Sequence, residues 1–446
     1  MTEANDKSAP LAEVTTLTMG QLEGALCSTL NTNAKIINWT AAEQKQLSGY
    51  LSSMVRVHIE WESQHDDDRL PSSIMVKCPT GEKLRAMLPS AVRTDAFIFL
   101  SHQNETEIYK LLSQHDTPVV PTPRFYGCQT WSAVSAVTVG VEPVYVVVED
   151  LSNEAAAMGA FMPMAEEQVD QILHANAKQH AWSISQDLSQ IADFKDREPH
   201  WDVILKSEFN GFIKYMNMPA RQEQYLSHKI IPAAWAHQRC NAVRSNGREY
   251  AMMTQLNTRF GVPDCLVHGD MHGGNVMFRL DGHSQPTSDI RAFVDWQLSH
   301  RGNPMLDLGM LLFVSGMESS RFPALLSDYY NKFMEQVKKD GNNGAGYLAT
   351  NMIKGWISGS DVCFTEQQLC DLFWASCFFV LRKWVATCCI IAIKHESGEP
   401  TVESKRLSDN AAKLVLNGLG DLHRLIDDPK HGRVIKDIIE QSKSTV

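Results

Sequence analysis

An α+β fold in two lobes is predicted by three features of the chain. Extended, β-branched segments gather before residue 150, helical periodicity prevails after it, and 446 residues, 43 % of them apolar, exceed what one ordinary core requires. Residues 1–16 carry no hydrophobic period and are expected to form a flexible tail. Residues 17–150 are expected to form a β-rich N-lobe and residues 151–446 a mostly helical C-lobe, with LSNEAAAMGAFMP from Leu151 as the connection.

The elements follow in order. Leu22, Leu26 and Leu30 fall four apart and mark a short amphipathic helix. Thr40-Ala41-Ala42-Glu43 has the form of a capping box and predicts a second helix ending at Gly49. Met54 to Trp61 (MVRVHIEW) and Ser73 to Cys78 (SIMVKC) are predicted strands on either side of the polar loop SQHDDDRLP. Phe97, Leu100, Ile108, Leu111 and Leu112 give a helix between Ala96 and Ser113, which Pro118, Pro121 and Pro123 prevent from continuing. Val144 to Glu149 is a buried strand, and Val169, Ile172, Leu173, Ala177 and Ile184 set a helix from Glu166 to Ile184. Apart from Cys265 to Phe278 and Ile290 to Trp296, the remainder reads as helices and loops. The glycine-rich run at 341–346 follows a charged helix, precedes no strand and is expected to be a surface loop.

Composition narrows the function classes. The net charge of −11, with no long Lys or Arg run, disfavours a nucleic-acid or anionic-membrane surface. The N-terminus shows no basic start with an apolar run, and Arg382 and Lys383 interrupt the most apolar stretch, Leu372 to Ile393, so neither an export signal nor a membrane span is expected. The ten cysteines form no CxxC pair. Cys363, Cys370 and Cys377 recur at helical spacing, as core residues of a chain in a reducing, cytoplasmic setting would. In that setting the glycosylation-like triplets at Asn38 and Asn104 are chance matches. No obligate protein partner is evident.

Reactive side chains concentrate in His268-Gly269-Asp270-Met271-His272-Gly273-Gly274-Asn275, followed by Phe293-Val294-Asp295-Trp296. Each half has an apolar lead-in, so both acids should emerge from strand ends into a loop, where a rigid frame positions reactive groups. Asp270, Asn275 and Asp295 are hard oxygen donors, suited to Mg²⁺ and hence to a phosphate substrate. Zinc is disfavoured, because HExxH is missing and no cysteine lies close. His268 is instead expected as a buried ring bonded to the loop backbone.

HGDMHGGN followed by FVDWQ resembles the paired loops of the aminoglycoside phosphotransferase and choline kinase superfamily, which has the protein-kinase-like fold. The glutamine after DW is most similar to the choline-kinase-like branch that includes the ecdysteroid kinase-like proteins. The resemblance spans roughly residues 45–315. It implies Asp270 as the catalytic aspartate, Asn275 and Asp295 as Mg²⁺ ligands, and ATP as the phosphoryl donor. Upstream, Lys77 lies in an apolar strand, an unusual place for a lysine without a partner. Glu105 and Tyr109 match the family's E-x-x-x-Y helix, which makes Glu105 the partner of Lys77 and both part of the nucleotide site. The plain alternative is an edge lysine and a surface glutamate. Glu107 is a competitor, but it lies about 200° round the helix from Glu105, so both cannot face the strand. The run ending at Glu149-Asp150-Leu151 resembles the strand entering the hinge, where the Glu149 carbonyl and Leu151 amide would meet adenine. Asp307 matches a helix-start Asp that ties down the catalytic loop. His180 is expected as a satisfied core histidine.

One family feature is missing. Neither G-x-G-x-x-G nor G-x-x-x-x-G-K-[ST] occurs, and the nearest phosphate-covering turn is Gly49-Tyr50-Leu51-Ser52-Ser53. Protein-kinase HRD, DFG and APE motifs are also missing, and WQLSHRGNP after Asp295 is too short for a peptide-binding segment. The expected activity is transfer of the γ-phosphoryl group of ATP to a hydroxyl of a small acceptor: a steroid, amino alcohol or xenobiotic-like molecule. The aromatic residues Trp356, Phe373, Trp374, Phe378 and Trp384 are candidate acceptor contacts, though most are expected in the core. The alternative is a catalytically weak, kinase-like module that binds nucleotide or a small molecule. A serine hydrolase is disfavoured because no G-x-S-x-G elbow occurs.

Overall fold

The alternating stretches of the first 150 residues pair into one five-stranded antiparallel sheet. A computed structural model describes residues 6–44, 51–62, 70–82, 85, 91–114, 119–139, 142–160, 162–189, 191, 256–342, 364–377, 380–381 and isolated positions between 405 and 433. It divides into two compact units, Met1–Ala156 with Arg291–Leu298, and Ala157–Ile290 with Ser299–Val446. The first unit holds helix α1 (Met19–Leu30), strands β1 (Ile36–Glu43), β2 (Ser52–Trp61) and β3 (Ser73–Pro79), helix α2 (Ala91–Ser113), strand β4 (Phe125–Gln129), helix α3 (Val134–Val139) and strand β5 (Tyr145–Glu149). The sheet order is β1-β2-β3-β5-β4. The short strand β6 (Ala155–Ala157) follows.

Period-two alternation decides which face each strand residue takes. On β3, Ile74, Val76 and Cys78 enter a core with Val55, Val57, Ile59 and Trp61 of β2, Tyr145 and Val147 of β5, and Leu22, Leu26 and Leu30 of α1. Met75 and Lys77 consequently take the opposite face. Register fixes Lys77 between Met54 of β2 and Val146 of β5. Lys77 therefore sits in the middle of the sheet, not at an edge.

Two expectations for this unit are corrected. Thr40-Ala41-Ala42-Glu43 does not begin a helix: those residues belong to β1 and pair with His58, Val57, Arg56 and Val55 of β2. A ladder of that length outweighs a local capping signal. Nor is the stretch before residue 17 loose from residue 6 onward, since Leu11 is 5 % exposed and joins the core, Pro10 bridges Thr18, and Lys7 pairs with Glu23 at 2.8 Å. The α1 cap is Thr18, whose side chain accepts from the Gln21 amide while the Gln21 side chain accepts from the Thr18 amide. Gly49 and Tyr50 lie outside the described residues.

In the second unit, helix α4 (Glu166–Ser183) packs against strand β7 (Cys265–Val267), helix α5 (Met305–Val314) and helix α6 (Phe322–Asn342). β7 pairs antiparallel with β10 (His300–Gly302), placing Val267 opposite His300. Strand β8 (Val276–Leu280) turns back into β9 (Pro286–Phe293), whose last residues fall in the first unit. A further helical stretch at 366–377 buries Leu372, Phe373 and Cys377, with the rings of Phe322 and Phe373 edge-to-face, their centroids 5.9 Å apart and planes at 89°. Trp356, Phe378, Arg382, Lys383, Trp384, residues 343–346 of the glycine-rich run, Cys240 and Cys363 lie outside the described residues. Among the described residues no helix is long and apolar enough to cross a membrane.

His102 of α2 ties that helix to β4, its Nε2 lying 2.8 Å from the Gln129 carbonyl, and it meets Trp131 edge-on at 5.4 Å. Burial pushes its imidazole down to about 4. The unfolded chain takes up that proton near pH 6.5, so between these values the unfolded state binds more protons and folding stability falls as pH drops. Wild type should thus lose about 3 kcal/mol more than His102→Gln between pH 7 and pH 4, measured by urea denaturation. Parallel stability curves for the two proteins would contradict this.

Candidate active site

Lys77 is placed where a cation in an apolar sheet needs partners, and the structure supplies two. Its Nζ lies 2.8 Å from Glu105 Oε1, 2.7 Å from Glu105 Oε2 and 2.5 Å from Asp295 Oδ1. The Lys77 side chain is 14 % exposed and that of Glu105 only 2 %. Burial alone would push the ammonium down, but the facing Asp295 and Glu105 carboxylates hold it above its ordinary value. Burial raises the Glu105 carboxyl against the pull of Lys77, and the nearby Asp295 charge adds to the rise. Glu107, two residues on, turns outward and pairs with Lys110 at 2.8 Å.

Asp295 follows the end of β9 and adopts φ +66°, the left-handed region that a non-glycine residue enters at a cost. Its second oxygen, Oδ2, accepts from Gln297 Nε2 at 3.2 Å. Trp296 beside it is fully buried and anchors the turn, with Nε1 donating to the Phe293 carbonyl at 3.3 Å. The Asp295 side chain keeps 30 % exposure.

In the second unit the 268–275 loop leaves β7 and is built around Asp307. That carboxylate, at the start of α5, accepts from the backbone amides of His268 (2.7 Å) and Gly269 (2.8 Å) and faces His180 Nε2 at 3.2 Å. Burial would raise the Asp307 carboxyl, but the bond from His180 and the charges around it hold it below the usual carboxylate range. His180, fully buried, is bonded on its other nitrogen to the Tyr329 hydroxyl at 2.8 Å, so it is satisfied within the core. Gly269 has φ +80°, which permits the turn that presents Asp270. His268 is fully buried, with Nδ1 3.4 Å from the Asp270 amide.

Asp270 and Asn275 are brought together: Asn275 Nδ2 donates to the Asp270 carbonyl (2.9 Å) and to Asp270 Oδ2 (3.2 Å). His272 caps the short 3₁₀ turn 273–275, its ring nitrogen accepting from the Gly274 amide at 3.0 Å. A Cβ on Gly274 would come within 2.9 Å of that ring, so the cap leaves room only for glycine. The Asp270 side chain remains 21 % exposed.

Glu149 and Leu151 lie at the end of β5 and just beyond it, in the first unit. The Glu149 side chain is tied back by Arg291 Nη2 at 2.7 Å and by the Arg124 amide at 3.0 Å, which leaves the strand end firmly held. Arg291 reaches Glu154 as well, at 2.8 Å. Arg291 was not singled out in the sequence, although a charge inside the apolar lead-in IRAFV is the same kind of signal that marked Lys77. Ser183 and Tyr329, which support His180, were missed too. Ser183 Oγ accepts from the Leu266 amide and donates to the His180 carbonyl, each at 2.8 Å.

Carboxylates and a side-chain amide are hard oxygen donors of the kind a hard divalent ion takes; within the first unit the Asp295 carboxylate is partly exposed, and within the second the Asp270 carboxylate is partly exposed and Asn275 turns its Nδ2 to it. Among the described residues no group of three or more His, Cys, Asp or Glu side chains gathers as a cage for a metal.

Comparison with known proteins adds the following. No curated protein matches the chain. Among solved structures, choline kinase LicA from Streptococcus pneumoniae aligns over 90 % of this chain and 97 % of its own at 14 % identity, with a TM-score of 0.40. Choline kinase from Cryptosporidium parvum aligns over 89 % and 93 % at 8 % identity with a TM-score of 0.43. A GDP complex of an aminoglycoside 2'-phosphotransferase-IIIa variant aligns over 89 % and 96 % at 11 % identity with a TM-score of 0.40. A family model, described as DUF1679 and as "Uncharacterized oxidoreductase dhs-27", matches residues 13–347, the stretch that carries the sheet, α2 and both acidic loops. By that match over three quarters of its length, the chain belongs to the DUF1679 family.

Proposed function

We propose that this chain is an ATP-dependent small-molecule kinase that moves the γ-phosphoryl group to a hydroxyl acceptor. The observation that carries the reading is the buried Lys77 ammonium held between Glu105 and Asp295. A lysine in the middle of a sheet, locked by a helix glutamate, is what phosphoryl transfer needs on the α/β-phosphates, because the reaction is mostly positioning and charge compensation. Asp270 orients the acceptor hydroxyl and takes its proton. Asn275 and Asp295 are the residues that would hold Mg²⁺, which when bound supplies positive charge to the phosphate oxygens. The Glu149 carbonyl and Leu151 amide receive the adenine. The acceptor class is a hydroxylated steroid, amino alcohol or xenobiotic-like molecule. In the alternative, the same frame binds nucleotide or a small molecule with little turnover, and the absence of a glycine-rich phosphate turn from the sequence favours it.

The family description points instead to hydride chemistry. Against that, the sequence contains no G-x-G-x-x-G dinucleotide turn. The deciding test measures binding of Mg-ATP and of NADH and NADPH by calorimetry, then ATP consumption with a panel of hydroxylated lipids, steroids and amino alcohols. The kinase reading expects Mg-ATP binding and acceptor-dependent ATP consumption. Binding of a nicotinamide dinucleotide in place of Mg-ATP would reject it, and Mg-ATP binding without turnover on any acceptor would favour the module.

A further inference from the structure

Asp150, just past the end of β5, carries more partners than a strand-end acid needs. Its side chain, 2 % exposed, accepts from Ser73 Oγ of β3 at 2.6 Å and from the Ser152 amide at 3.1 Å. Arg56 Nε of β2 lies 3.1 Å from Oδ2, the oxygen that Ser73 reaches. Burial would raise the carboxyl, but the bonds from Ser152 and Ser73 and the Arg56 charge hold it below the usual carboxylate range. All of these residues belong to the first unit.

The two carboxylate oxygens act on one short stretch of backbone. The bond from the Ser152 amide to Oδ1 closes an Asx turn, and the peptide unit that carries the Leu151 N–H lies inside that ring. Ser73 and Arg56 hold Oδ2 against the sheet, which stops the side chain from rotating and carrying the ring with it. On the far side the Leu151 carbonyl accepts from the amides of Glu154 at 3.0 Å and Ala155 at 2.9 Å. The direction of the Leu151 N–H is therefore set by the protein alone.

We infer that Asp150 is a positioning residue for base recognition, with Ser73 as its anchor: the pair aims the Leu151 amide. The inference rests on the kinase reading, in which that amide receives adenine, whereas the brace itself does not. In this role Asp150 touches no reacting atom. It acts through the backbone, so that a donor already ordered meets the base and less ordering accompanies binding.

Calorimetry with Mg-ATP and with Mg-tripolyphosphate, which has the phosphate chain but neither base nor ribose, isolates the base. Asp150→Ala should lower Mg-ATP affinity about tenfold, the worth of one well-aimed hydrogen bond, and leave Mg-tripolyphosphate affinity at the wild-type value. Ser73→Ala should lower Mg-ATP affinity about threefold. Asp150→Asn, which keeps an oxygen for the Ser152 amide, should bind Mg-ATP close to wild type. Hydrogen–deuterium exchange of the ligand-free protein should be about tenfold faster at the Ser152 amide in Asp150→Ala, with peptides covering 19–30 and 36–43 at wild-type rates. Equal losses for ATP and tripolyphosphate, or no loss for ATP, would overturn the inference, as would unchanged exchange at Ser152. If Asp150→Ala loosens the whole unit, Ser73→Ala decides by the same ratio of affinities. Equal wild-type affinity for the two ligands would refute base recognition through this amide while leaving the phosphate site standing. Should the wild-type chain bind neither, the kinase reading fails and the nucleotide role of Asp150 with it, and the exchange result still judges the brace.

Discussion

Asp270→Asn is expected to lower acceptor-dependent ATP consumption by about 10²- to 10⁴-fold, the usual worth of a positioned general base. Mg-ATP affinity and the thermal midpoint should stay at wild-type values. The reason lies in how the loop is held. Its conformation is set by Asp307 bonding the His268 and Gly269 amides and by Asn275 bonding the Asp270 carbonyl, none of which involves the Asp270 carboxylate. Asparagine keeps the size of the side chain and an oxygen that can accept from Asn275 Nδ2, which in wild type reaches Oδ2 at 3.2 Å. What it loses is the ability to take a proton. Steady-state kinetics with a responsive acceptor is the check, and near-wild-type turnover in the variant would remove Asp270 from its role.

How much of this was legible beforehand depended on whether the signal was local. β2, β3, β5, α2 and α4 announce themselves by period, and the burial of Ile74, Val76 and Cys78 on one face of β3 follows from alternation alone. Lys77 stood out because a charge interrupts that run. β1 was misread because Thr40 to Glu43 carries a capping pattern, and only pairing with β2, a nonlocal fact, converts it to a strand. The anchoring of Leu11 and Leu17 had no periodic signature, since their burial depends on a neighbouring sheet rather than on a helix or strand of their own.

The candidate site divides in the same way. Contiguous motifs exposed Asp270, Asn275 and Asp295, and the E-x-x-x-Y spacing selected Glu105 over Glu107, which turns out to be paired with Lys110 at the surface. The supporting residues were harder to see. Asn104 resembled a chance glycosylation triplet, yet its buried amide donates to the Trp296 carbonyl 192 positions away. Tyr329 lies 149 residues from His180. Such partners have ordinary sequence surroundings, and only the folded chain brings them near.

Lys77→Met should be the most destabilising single change proposed for this protein. It leaves Glu105, 2 % exposed, as a buried carboxylate without its cation, and removes the attraction that holds Asp295 Oδ1 at 2.5 Å. Breaking a buried pair in this way costs about 3–5 kcal/mol, because the remaining charge can neither reach water nor find another partner. By contrast Glu107→Gln removes an exposed pair and should cost at most about 1 kcal/mol. The pH dependence carries a second signature. In the variant Glu105 faces burial and the Asp295 charge with no compensating ammonium, so its folded-state pKa lies above the unfolded value. A raised carboxyl pKa makes the folded state bind more protons, so this deficit relative to wild type should shrink as pH falls through that pKa. Adding Glu105→Gln to Lys77→Met neutralises the stranded charge and should recover a large part of the loss, which marks the two residues as a coupled pair. Urea denaturation of wild type, both single variants and the double variant at pH 7 and pH 5 measures all of this. A Lys77→Met protein as stable as wild type, or a double variant no more stable than Lys77→Met, would show that the ammonium does not neutralise a buried carboxylate here.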